Sequence, residues 1–142
     1  MLETELEFNE EAMSLVDRIE AALQAGALVK AGKGAGKVVA DDAKPRITAP
    51  GYRGDKADLK PLSKSIRVVV RDYTHIVIVV IGSTWPEGAH GHLVENGHIQ
   101  RLKDGSTIHV PPHPWLRPAA EYTKPQQNDV VLSTLKEASP KR

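Results

Sequence analysis

Residues 65–82 read SIRVVVRDYTHIVIVVIG, and the fold turns on how this stretch is read. Its β-branched density argues for strand over helix, and its charges divide it in two. Residues 65–72 (SIRVVVRD) form one predicted strand and residues 74–82 (THIVIVVIG) the next, with a hairpin link near Asp72 and Tyr73. The second strand is apolar at successive positions, so it is expected to lie centrally and be covered on both faces. Left open, a run such as IVIVVI invites edge-to-edge aggregation.

Upstream, residues 9–24 carry a helical pattern. Ala12, Leu15, Val16, Ile19, Ala22 and Leu23 recur at i, i+3, i+4 and i+7. Asn9 suits the N-cap, Glu10 and Glu11 suit the positive end of the dipole, and Phe8 with Met13 has the spacing of a hydrophobic staple. Residues 26–44 keep helical spacing through Leu28, Ala31, Ala35, Val38 and Val39. Gly32, Gly34 and Gly36 each oppose a helix by about 1 kcal/mol. The segment is therefore either a helix held by packing or a glycine-rich loop. Residues 45–64, PRITAPGYRGDKADLKPLSK, hold three prolines and read as one long basic loop, functional or disordered at that length.

Downstream, residues 83–88 form a turn and 89–96 a short helix ended by Gly97. Residues 98–103 and 106–110 are expected as strands around the turn pair Asp104-Gly105. Pro111-Pro112-His113-Pro114 breaks the chain before a helix over 115–122, which is interrupted near Pro125 and resumes over 129–138. Residues 139–142 read as a frayed tail. Helices at both ends and antiparallel strands between them give the α+β class. The expected architecture is an N-terminal helical region, a sheet of about four strands, and a C-terminal helix packed on that sheet. One domain spans 1–142, in keeping with its length.

Composition narrows the chemistry. The 142 residues include no cysteine, which removes disulfides, thiolate metal sites and a cysteine nucleophile. Only six residues are aromatic, so Val, Ile, Leu and Ala must build the core. The longest apolar run falls far short of the roughly 20 residues of a membrane span, and the acidic start is unlike a secretory signal. A soluble chain without a membrane partner is expected. Residues 31–38 (AGKGAGKV) lack the Walker spacing and place Val38 where a magnesium-binding hydroxyl is needed. His90 and His92 with Glu95 lack a signature zinc spacing. There is no G-x-S-x-G elbow. No catalytic residue, cofactor or metal ligand is assigned, and no enzyme is expected.

The net charge of +1 conceals a division. Residues 1–25 carry seven acids and one arginine, whereas residues 26–71 carry eleven Lys/Arg and four acids. The division fits a solvated helix beside a basic loop, or complementary faces on neighbouring copies that meet head to tail. Lys44, Arg46, Arg53, Lys56, Lys60, Lys64, Arg67 and Arg71, with Tyr52 among them, are able to neutralise phosphates.

Two blocks carry a family resemblance. His92-Leu93-Val94-Glu95-Asn96-Gly97-His98 is followed by Val110-Pro111-Pro112-His113-Pro114-Trp115-Leu116-Arg117-Pro118-Ala119. The pair resembles the "LVExGx … PxxPFLRPA" pattern of the tail-completion, or neck (head–tail joining), proteins of tailed bacteriophages. Ala49-Pro50, Leu59 and Ser63-Lys64-Ser65-Ile66 are similar to that family's "AP…TGxLxxSI" stretch. Asn96 replaces the usual aromatic, residues 55–58 replace Thr-Gly, and Trp115 stands for Phe.

The resemblance covers residues 9–138 and implies a structural virion protein made in the host cytoplasm. It implies a ring, sixfold to match the tail tube, that joins the tube protein to the head connector or stopper around packaged double-stranded DNA. Arg46, Arg53, Lys56, Lys60 and Lys64 become candidates for the interface or DNA channel. Leu93, Val94, Glu95, Gly97, Pro114, Trp115, Leu116, Arg117 and Pro118 become structural motif residues. Of these, Leu93 and Val94 are expected to be buried, Pro114 to open the last helix, and Glu95 to cap or to pair with Arg117. The neighbouring readings are a tail terminator or minor tail component of similar fold, and a small non-specific nucleic-acid-binding module.

Overall fold

The computed structural model describes residues 10–24, 26–47, 62–73, 76–85 and 88–139. Helix α1 (Glu10–Gln24) is followed through a turn at Gly26 by the long helix α2 (Ala27–Ile47). A 3-10 turn, Leu62–Ser65, leads into strands β1 (Ile66–Asp72) and β2 (Val77–Ser83). Helix α3 (Gly91–Asn96), strands β3 (His98–Arg101) and β4 (Thr107–Val110), and helices α4 (Leu116–Tyr122) and α5 (Lys124–Ala138) complete the chain. The class is α+β, with helices at both ends. The proposed cap Asn9, the partner Phe8 of the staple and the tail beyond Ser139 lie outside the described residues.

The glycines of α2 are explained by what packs on them. Around a helix, Gly32 and Gly36 share one side and Gly34 lies nearly opposite. A Cβ at Gly32 would come within 2.9 Å of Val79 Cγ2, and one at Gly36 within 2.5 Å of Val68 Cγ1. A Cβ at Gly34 would meet Val130 Cγ1 of α5 at 2.8 Å. The β1–β2 hairpin and α5 therefore press on opposite sides of α2, closer than any side chain permits. Packing holds this helix where propensity would not.

Three expectations are corrected. The long loop does not begin at Pro45, because α2 runs on to Ile47. Pro45 gives up a hydrogen bond near the helix end, but Ala43 and Ile47 on the same turns are fully buried, and this burial outweighs the loss. Residues 62–65 are likewise ordered as the 3-10 turn, with Leu62 fully buried.

Second, the strands form two separate two-stranded sheets instead of one sheet of about four. β3 and β4 are four residues each and largely exposed, with too little apolar surface to join a common layer. The C-terminal helix α5 packs along α2 rather than on a sheet.

Third, among the described residues β2 is covered on one face only. Its register with β1 turns Val68, Val70, Val79 and Ile81 towards α2 and leaves Val69, Ile78 and Val80 outward. Those three are 47%, 46% and 45% exposed.

The core lies where the C-terminal half of α2 meets the 3-10 turn, β1 and α4. It comprises Val39, Ala40, Ala43, Ile47, Leu62, Ile66, Trp115 and Ala119. Trp115 is its largest side chain and 2% exposed.

Candidate functional site

The two motif blocks meet at Glu95. Residue Glu95 sits on the last turn of α3, and its carboxylate reaches the start of α4. Glu95 Oε2 accepts the backbone N–H of Trp115 at 2.7 Å and of Leu116 at 2.8 Å. Oε1 accepts the N–H of Arg117 at 3.0 Å. A helix start leaves several N–H groups without intrahelical partners. Glu95 takes three in succession, and the next residue, Pro118, has no N–H to satisfy. The first turn of α4 is thus completed by one side chain from another element and one imino acid.

Partial burial pushes the Glu95 carboxyl up, but the N–H groups of Leu116, Trp115 and Arg117, helped by the Arg117 charge, pull it below its ordinary value. The sequence offered capping or pairing with Arg117; the backbone cap is the dominant contact. Pro114 does not open the helix as expected. The N-cap is Trp115, at φ −128° and ψ −34°; Pro114 precedes it, and the run of N–H groups that Glu95 accepts begins at Trp115 because Pro114 has none to give.

Further bonds close the clasp. Trp115 Nε1 donates to the Gly91 carbonyl at 3.2 Å, and the His113 N–H to the Val94 carbonyl at 2.7 Å. His113 Nε2 lies 3.2 Å from the Arg46 carbonyl and so ties the segment to the end of α2. Gly97 adopts φ +73°, and a Cβ there would stand 2.8 Å from the Val110 carbonyl oxygen. Leu93 and Val94 are half-buried instead of buried; Val94 lies against the core, and Leu93 does not. A six-residue helix held mainly by its carboxylate and carbonyls leaves them that way.

Both Glu95 oxygens face α4, and among the described residues no three His, Asp or Glu side chains gather as ligands.

The basic candidates divide. Arg53, Lys56 and Lys60 lie outside the described residues. Arg46 belongs to α2 and not to a loop; its Nε donates to Asp42 Oδ2 at 2.6 Å and its guanidinium stands 5.6 Å from the Tyr122 ring centre. Lys64 is exposed on the 3-10 turn, beside a hollow of about 450 Å³ lined by Lys44, Pro45, Ser63, Ile66 and Arg67.

The surface that sequence reading missed is the outer face of the β1–β2 hairpin. Arg67, Val69 and Arg71 of β1 stand opposite Gly82, Val80 and Ile78 of β2 on that face. A two-stranded sheet leaves both outer edges unpaired, and an isolated hairpin is marginal in water. The signal was present in the apolar run of β2, which marks either a buried strand or a strand that waits for a partner.

No protein-family model matches the chain, and neither a curated protein nor a solved structure matches it.

Proposed function

We propose that this protein is a structural subunit of a bacteriophage neck, one that assembles into a ring joining the tail tube to the head connector. The observation that carries the proposal is the Glu95 clasp. In the two sequence blocks that resemble the tail-completion pattern, Glu95 of one holds Trp115, Leu116 and Arg117 of the other, the first of them 20 residues along the chain. The resemblance therefore rests on residues that act together. The role is assembly: the residues of the clasp are occupied in holding backbone, and the outer hairpin face offers apolar surface to a partner.

The basic hollow beside Lys44 and Lys64 favours a secondary role in contact with DNA phosphates passing through such a ring. Neutralising Lys56, Lys60 and Lys64 together is expected to lower the yield of infectious particles.

Electron microscopy of particles produced with this gene disrupted tests the reading. Full heads and complete tails lying apart are expected. Joined particles, or tails of uncontrolled length, would overturn it, the latter in favour of a terminator. Salt-sensitive DNA binding by an isolated monomer that forms no ring would point to the nucleic-acid module.

A further inference from the structure

Two apolar faces of this molecule lack a partner among the described residues, and they carry opposite charge. On α1, Leu15, Val16 and Ile19 are 53%, 54% and 49% exposed. At about 100° per residue they share one side of the helix, with Glu20 next to Val16 and Asp17 beyond it. Both acids are exposed. On the hairpin, Val69, Ile78 and Val80 form an apolar centre, and Arg67 and Arg71 stand exposed at its two ends along β1.

One molecule cannot satisfy both faces with each other. The hairpin's outer face looks away from α2, because its inner face rests on Gly32 and Gly36. Helix α1 packs on α2 and α5, and α5 lies on the Gly34 side. To cover its own hairpin, α1 would have to leave that seat and cross α2.

We propose that α1 of one copy docks on the outer face of the β1–β2 hairpin of the next copy. The apolar stripe of Leu15, Val16 and Ile19 covers Val69, Ile78 and Val80, and Asp17 and Glu20 meet Arg67 and Arg71. The inference rests on the assembly reading above and supplies its surface and its partner. Charge selects this arrangement over symmetric ones. Hairpin on hairpin sets arginines against arginines and α1 on α1 sets acids against acids, and such like-charge contacts are disfavoured. Two different patches make a heterologous contact, which yields a ring when the rotation closes. The whole-chain charge of +1 lets copies add without accumulating repulsion.

The test is self-association of the full chain, followed by sedimentation velocity over a dilution series. Glu20→Arg and Arg71→Glu are each expected to weaken association about fivefold, the upper range for an exposed pair. The combined variant is expected to recover to within about twofold of the original. Val80→Asp, with its circular dichroism unchanged, is expected to weaken association about a hundredfold. A combined variant weaker than either single one overturns the proposal, as does a chain that stays monomeric at about 0.5 mM. A dimer sensitive to Arg71→Glu but not to Glu20→Arg overturns it in favour of a symmetric hairpin contact. The neck reading is read separately, by microscopy of gene-disrupted particles. Charge-swap rescue with particles still joined keeps the interface and removes the neck role; separated heads and tails without rescue do the reverse.

Discussion

Glu95 does the work that a Ser or Asp N-cap does in other helices, from a position twenty residues earlier in the chain. Glu95→Ala removes the acceptor of three backbone N–H groups, and a cost of about 2 kcal/mol is expected in chemical denaturation. Glu95→Gln keeps one acceptor oxygen but turns an amide towards the third N–H, and about half that cost is expected. The lowered carboxyl sets a pH dependence. Its folded value lies below its unfolded one, so the contribution is complete above the ordinary glutamate value of about 4.3 and is lost as pH falls through the folded value. Thermal unfolding of the parent is therefore expected to weaken more steeply below about pH 4.3 than that of Glu95→Gln. Of this cap, only the participants were legible. The sequence placed Glu95 and Arg117 in one motif, but no local spacing reveals that a carboxylate aims at backbone instead of guanidinium.

At the scale of elements, α2 is the organising piece, and its glycines are contact surfaces. Gly36→Ala gains about 1 kcal/mol of helix propensity. It also places a Cβ 2.5 Å from Val68 Cγ1 and 2.8 Å from Val79 Cγ1, on stiff branched side chains. Overpacking of this kind costs about 1–3 kcal/mol, so a net loss of about 1 kcal/mol is expected in urea denaturation. A gain in stability would mean that the hairpin does not rest on that glycine. The helical spacing of residues 26–44 left helix and loop both open, because glycine's intrinsic cost argues one way and apolar periodicity the other. What settles it is the pair of elements pressed on either side. The same dependence on neighbours extended the helix past Pro45 and divided the expected sheet in two.

At the scale of the whole molecule, the exposed acids Asp17 and Glu20 stand on α1 and the exposed arginines Arg67 and Arg71 on β1. In the proposed contact between copies, their attraction would be screened by salt. Raising ionic strength from about 0.1 M to about 1 M shortens the Debye length from about 10 Å to about 3 Å. Self-association is expected to weaken several-fold over that range in sedimentation velocity, while the melting temperature of a monomeric Val80→Asp variant stays nearly constant. Association that strengthens with salt would mean that the contact is apolar alone.

The sequence by itself determined the α+β class, the N-terminal helix, the two hairpins, the turn of the second hairpin, the glycine after α3, and the motif residues that clasp α3 to α4. Each of these follows from local periodicity, turn chemistry or residues a few positions apart. Only the tertiary structure decided which elements cover which. An apolar strand such as β2 reads the same whether its second face meets protein or solvent, since periodicity reports that a surface avoids water and not what removes it. Likewise, a glycine reads as a helix breaker until the residues pressed against it, Val68, Val79 and Val130, show why no larger residue fits.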